Sequence, residues 1–255
     1  MDCPNCGGIM VSTGSGYRCR FCGHQSAPAP SSSSSNQSSY SSQQNNRVPV
    51  QTKGNMGATV YENNINGVAE ITCVFPQAKS AGSGYLINNQ GYLITNTHVV
   101  TYNCAPCNNI TVRMAGEEVR ARIVALGDDK GGHGNGVDLA LLKLDRIPSK
   151  AKALAIADFN TVKIGESVFV IGNSLGYGSC ITGGIVSDKK RNVNGKMLLM
   201  TDCAINSGNS GGPIFNENGK VIGTIVSAIT SAKGMNFAIP ADTVVNFLNV
   251  NRMRV

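Results

Sequence analysis

The sequence predicts an all-β fold, a barrel or sandwich of short strands. Three observations carry this. The 255 residues include 30 glycines and no tryptophan, a composition of many turns rather than long helices. Short apolar runs recur every ten to twenty residues with Gly, Asn and Asp between them. Hydrophobic residues make up 41% and charged residues 15%, enough apolar material for one large or two medium domains.

The elements follow in order. Residues 1–26 hold four of the nine cysteines. Residues 27–46 run from Ala-Pro-Ala-Pro into Ser, Asn and Gln, which have little to bury and predict a flexible linker. From residue 47 onward the strand-like runs begin. They are Gly67–Phe75, Gly84–Ile87, Tyr92–Thr95, Ile110–Met114, Val119–Leu126, Leu139–Leu144, Ser167–Ile171, Ile181–Ser187, Met197–Thr201, Pro213–Phe215, Val221–Ser227 and Asn236–Ile239. Asn88-Asn89-Gln90-Gly91 and Asn216-Glu217-Asn218-Gly219 predict hairpin turns. One helix is expected at Ala241–Asn249, where Pro240 precedes an apolar face of Val244, Val245, Phe247 and Leu248.

Cys3-x2-Cys6 and Cys19-x2-Cys22 form two knuckles twelve residues apart. Each aims two thiolates at one point, and two on a short hairpin complete a tetrahedral Zn2+ site. His24 is read as a surface residue, since four cysteines fill the shell. Residues 1–26 resemble the zinc-ribbon family. Arg18 and Arg20 against Asp2, with four thiolates on one Zn2+, leave the ribbon at about −1, a poor surface for phosphates. A protein partner or a structural role is expected for it. The net charge of +7 is scattered, and its one tight cluster, Lys189-Lys190-Arg191, is read as a solvated loop tip.

A serine that attacks a carbonyl needs a base, and the base needs an orienting acid. Ser210 lies in Gly208-Asn209-Ser210-Gly211-Gly212-Pro213, His98 follows a strand-like run, and Asp138 opens another. Of the other histidines, His24 belongs to the ribbon and His133 to a glycine-rich loop. Gly172-Asn173-Ser174-Leu175-Gly176 also matches the G-x-S-x-G elbow of α/β-hydrolases. That fold places its histidine after the serine, and no histidine follows position 133. The stretch Gly172–Gly178 is therefore read as a turn.

At these residues the chain resembles the trypsin-like serine proteases, specifically the HtrA (Deg) branch. The carriers are Gly82–Ile87, Ile94–Val100, Asp138–Leu144, Gly165–Val168, Ile171–Asn173, Thr182–Ser187, Thr201–Asn206, the serine motif and Phe237–Pro240, in family order over roughly residues 55–250. The resemblance implies two packed antiparallel β-barrels, the first at about 55–150 and the second at about 151–240, ending in a helix at 241–250. It implies His98 as base, Asp138 as its orienting acid and Ser210 as nucleophile, with the N–H groups of Gly208 and Ser210 as oxyanion hole. No cofactor for catalysis is implied. Ala204 would floor a substrate pocket walled by Thr224, Ile225 and Val226, giving cleavage after small or medium aliphatic residues. Asp202, nearby, argues the other way. Asn209 carries no charge to pair with a freshly cleaved amino terminus, so activation by that route is not expected.

The implied function is a serine endopeptidase acting on unfolded or damaged polypeptides. Its alternatives are a weakly active or inactive protein-binding module on the same fold, and a zinc-ribbon nucleic-acid binder. The family carries PDZ domains and is often trimeric; no PDZ domain follows here, and a homo-oligomer is compatible. No run approaches the ~18 apolar residues of a membrane span, and no basic-then-apolar leader opens the chain. The expectation is a cytoplasmic protein. Cys104-x2-Cys107 is read as a plain loop, and Cys73, Cys180 and Cys203 as buried small hydrophobes.

Overall fold

A computed structural model describes residues 10–13, 16–19, 25–26, 55–127, 136–173, 178–226 and 235–253. The chain divides into two units between Val50 and Gln51. In the first, β1 (Met10–Thr13) and β2 (Gly16–Cys19) pair antiparallel with Met10 opposite Cys19, and β3 (Gln25–Ser26) adds to β2. The predicted linker, His24, and Cys3, Cys6 and Cys22 lie outside the described residues, as does the side chain of Cys19.

The second unit opens with helix α1 (Met56–Asn64), capped by the Asn55 side chain accepting from the Ala58 N–H at 3.3 Å. The sequence pattern did not predict this helix: Val60 and Asn64 alone are buried, so no apolar stripe marks it. Six strands then close the first barrel. They are β4 (Val68–Val74), β5 (Lys79–Leu86), β6 (Tyr92–Thr95), β9 (Ile110–Met114), β10 (Glu117–Leu126) and β11 (Ala140–Leu144), in the order β10-β11-β6-β5-β4-β9. Between β6 and β9 lie the one-turn helix α2 (Thr97–Val100) and the small hairpin β7 (Thr101–Tyr102) and β8 (Ala105–Pro106). The second barrel closes as β12-β13-β14-β17-β16-β15, built from β12 (Ser167–Asn173), β13 (Ser179–Val193), β14 (Lys196–Thr201), β15 (Pro213–Asn216), β16 (Val221–Val226) and β17 (Asn236–Pro240). Helix α3 (Ala241–Val250) ends the chain's described structure.

Both predicted asparagine turns form. Asn88 Oδ1 accepts from the Gln90 and Tyr92 N–H groups, and Asn216 Oδ1 from those of Asn218 and Lys220. The Lys189-Lys190-Arg191 cluster lies within β13, short of the Asn194-Gly195 turn. There Lys190 pairs with Asp242 at 2.7 Å and Arg191 with Asp188 at 3.1 Å.

Strand period explains how both barrels and the layer between them are filled. Along Leu139–Leu144, Ala140, Leu142 and Leu144 point into the first barrel, with Leu93, Ile71 and Val112. Leu139 and Leu141 point the other way, into a layer that includes Ile94, Tyr85, Phe215 and Ile239. From α3, Val244, Phe247 and Leu248 pack into the same layer, while Val245 is half-buried. Each such aliphatic burial stabilises by about 1.5–3 kcal/mol. Val168, Val170, Val186, Ile214, Ile222 and Ile225 fill the second barrel.

Cys73 and Cys203 are buried and Cys180 is half-buried. The Cys104-x2-Cys107 pair is split: Cys104 is exposed at the β7–β8 turn, whereas Cys107 is buried in the first barrel's core. Among the described residues, no group of three or more His, Cys, Asp or Glu could hold a metal ion. No described helix is long and apolar enough to cross a membrane.

Candidate active site

The site is built where the two barrels meet. β6 delivers the chain to α2, and Val99 and Val100, 1% and 0% exposed, anchor that turn in the first barrel's core. His98 between them and Thr97 faces out, its side chain about a third exposed. Asp138 precedes β11 and is held from behind: Asn96 Nδ2 donates to its backbone carbonyl at 2.7 Å, and Thr97 Oγ1 donates to the Leu139 carbonyl at 2.8 Å.

The Asp138 carboxylate takes two hydrogen bonds from one residue. Oδ1 accepts the His98 backbone N–H at 3.1 Å, and Oδ2 lies 2.6 Å from His98 Nδ1. An ionised carboxylate can only accept, so Nδ1 carries a proton, and in the neutral ring the lone pair is then on Nε2.

Ser210 comes from the second barrel's loop and is 7% exposed. Its backbone lies on β5 of the first barrel, where its carbonyl accepts the Ser83 N–H at 2.8 Å. The Gly208 carbonyl accepts Ser83 Oγ at 2.7 Å, and Gly208 has φ +96°. Two glycines permit this contact. A Cβ on Gly82 would fall 2.7 Å from Val99 Cγ2 and 3.0 Å from the Ser210 carbonyl. A Cβ on Gly211, at φ +84°, would fall 2.3 Å from both the Ser83 carbonyl and Thr95 Oγ1. The His98 helix and the Ser210 loop therefore meet over Gly82 of β5.

The remaining candidates fall as follows. Ala204 is exposed, and its carbonyl accepts Thr182 Oγ1 at 2.9 Å. Thr224 is fully buried, and its hydroxyl bonds Tyr85 Oη at 2.9 Å. Ile225 faces the second barrel's core, and Val226 is half-buried on the opposite face. The three thus do not share one wall, because neighbours on a strand alternate. Asp202 Oδ1 accepts the Ile185 N–H at 2.7 Å, which engages that carboxylate with β13. Ser174 and His133 lie outside the described residues. Sequence reasoning passed over Ser83, Asn96 and Thr97 as members of apolar motifs. Their work is hydrogen bonding to carbonyls distant in sequence, and no local pattern announces it.

Comparison with known proteins agrees with this layout. Residues 82–223 match the model of the trypsin-like peptidase domain. A probable periplasmic serine endoprotease, DegP-like, of Pseudomonas putida (strain W619) is 38% identical over 180 residues, covering 68% of this chain and 35% of the relative. Its counterpart in Rhizobium meliloti (strain 1021) is 40% identical over 171 residues, covering 64% and 31%. The chain thus spans about a third of the length of the curated relatives it matches. Among solved structures, the HtrA-type protease AlgW with tripeptide superposes with a TM-score of 0.65 at 29% identity, covering 75% of this chain and 62% of that one. The serine endoprotease from Yersinia pestis gives 0.64 at 27%, covering 76% and 65%.

These relatives overturn the expected cytoplasmic location, since they are named periplasmic. The expectation rested on the opening residues of the sequence, whereas a leader is something that targeting adds to a domain and that the fold does not require. With the two six-stranded barrels and a family match over residues 82–223, the chain belongs to the trypsin-like peptidase family.

Proposed function

We propose that residues 51–255 are a serine endopeptidase of HtrA type with His98, Asp138 and Ser210 as its triad. The observation that carries this reading is the 2.6 Å contact of Asp138 Oδ2 with His98 Nδ1, which leaves Nε2 as a base. Ser210 Oγ attacks the scissile carbonyl while His98 Nε2 takes its proton. Asp138 stabilises the imidazolium, and the Gly208 and Ser210 N–H groups receive the oxyanion. His98 then protonates the leaving amine, and water repeats the cycle on the acyl-enzyme.

The substrates are polypeptides, cleaved after small or medium aliphatic residues. Ala204 offers no charge, and the nearby Asp202 carboxylate is engaged at Oδ1 by the Ile185 N–H. The periplasm, named for the relatives, is the compartment that goes with this reading. For the amino-terminal unit we propose a structural zinc ribbon, with Cys3, Cys6, Cys19 and Cys22 as ligands. The Met10–Cys19 hairpin suits it, since it puts Cys19 at a strand end, where a knuckle begins.

A fluorophosphonate label and an unfolded protein substrate test the protease reading. Wild type is expected to label and cleave, and Ser210→Ala to do neither. A wild type that is inert in both assays would leave a protein-binding module in its place.

A further inference from the structure

We propose that Ser83, on β5 of the first barrel, is the residue that aims the oxyanion-hole N–H of Ser210, a role resting on the protease reading above. Ser83 is fully buried and uses both its backbone and its side chain across the barrel interface. Its N–H donates to the Ser210 carbonyl at 2.8 Å. Its hydroxyl donates to the Gly208 carbonyl at 2.7 Å and accepts the Asn173 N–H, at the end of β12, at 2.9 Å. Its own carbonyl accepts Thr95 Oγ1 at 2.7 Å, which ties the clamp to the strand leading to His98.

The consequence follows from peptide planarity. The peptide between Asn209 and Ser210 carries the Ser210 N–H. The peptide before it presents the Gly208 carbonyl, and the peptide after it presents the Ser210 carbonyl. Ser83 holds both, which fixes the Cα atoms of Asn209 and Ser210. The one motion left to the middle peptide is rotation about the line joining those two atoms. That rotation is stopped by its own carbonyl, which accepts the Gly212 N–H at 2.9 Å. In a trans peptide the N–H points opposite the C=O, so the direction of the Ser210 N–H is set before substrate arrives. Such preorganisation is what makes an oxyanion donor effective. The clamp runs from one barrel to the other, so hinging of the barrels would misdirect the donor.

The Ser83 hydroxyl is the separable part. Ser83→Ala keeps the backbone bonds but strips the Gly208 carbonyl of its donor and the Asn173 N–H of its acceptor. Full loss of an oxyanion donor costs ~10²–10³ in kcat; a donor that is loosened rather than lost is expected to cost roughly 10- to 100-fold, with KM within about threefold. Amide exchange in the segment 206–212 is expected to accelerate. Leu144→Ala, a core truncation in the same barrel, controls for lost stability: it should lower Tm and leave kcat and exchange in 206–212 unchanged. Ser83→Ala with wild-type kcat and wild-type exchange overturns the proposal. So does a KM effect with kcat intact. Segment exchange needs no turnover, so it decides the clamp even if the wild type proves inert, an outcome that would strike the protease reading instead.

Discussion

Asp138 concentrates the residue-scale argument, because one carboxylate sets both the position and the tautomer of His98. Its Oδ1 fixes the backbone of α2 and its Oδ2 fixes the ring. Asp138→Asn keeps the shape but offers an amide that can donate to Nδ1, which puts the ring proton on Nε2, the atom that the protease reading needs as a base. Under the protease reading, kcat is expected to fall by about 10³–10⁴ while the fold persists. Steady-state kinetics beside a thermal melt check this, and a variant retaining a tenth of wild-type kcat would refute the assigned role. The pairing of His98 with Asp138 was legible because few residue types can orient a base; Ser210 joins them under the protease reading. Ser83 was not legible. Its partners Gly208 and Ser210 lie more than a hundred positions away, and a serine in a strand looks alike whether it faces solvent or a carbonyl.

At the scale of elements, alternation was the readable signal and its exceptions are instructive. Tyr92–Thr95 and Ile110–Met114 form strands with the predicted bounds. β13 runs on to Val193, well past the predicted Ser187, because its polar outer half is held by pairing with β14 and not by burial. α1 escaped notice because its face packs through Gly57 against the Phe169 ring, a contact that carries no apolar period. The start of β10 adds a polar tie that pH can address. Arg146 bonds the Glu117 side chain, and the Ser149 N–H and hydroxyl bond Oε1 at 2.8 and 2.9 Å. The Arg146 bond foremost, then those of Ser149, lowers the Glu117 pKa from 4.5 to about 2. A carboxyl with a depressed folded value stabilises the fold above its unfolded value, and that contribution disappears as pH falls through the folded one. The stability difference between wild type and Glu117→Gln should therefore be constant above about pH 5 and shrink between about pH 4.5 and 2. Urea melts across that range measure it. Because the pair is exposed, the difference should also shrink with added salt.

For the whole molecule, the division between Val50 and Gln51 separates two kinds of stability. The barrels close their own edges and share an apolar layer, so their folding is expected to proceed without a metal. Among its described residues the amino-terminal unit has three strands of two to four residues each, and units of such short strands are usually held by a metal or disulfides. This contrast follows from the cysteine spacing and the strand pattern together, whereas the compartment does not, since nothing in either unit's folding depends on it. Under the ribbon and protease proposals, zinc bound by thiolates is folding free energy for the small unit and takes no part at the triad. Purified full-length chain should thus hold about one zinc per chain, four cysteines making one site. Stripping it with a chelator should expose the amino-terminal thiols to a thiol reagent and raise protease sensitivity within residues 1–50. Fluorophosphonate labelling at Ser210 should continue at the wild-type rate. Zinc content unchanged in Cys19→Ser would remove the ribbon from this scheme, and labelling that collapsed on chelation would show that the two units do not keep their stabilities apart.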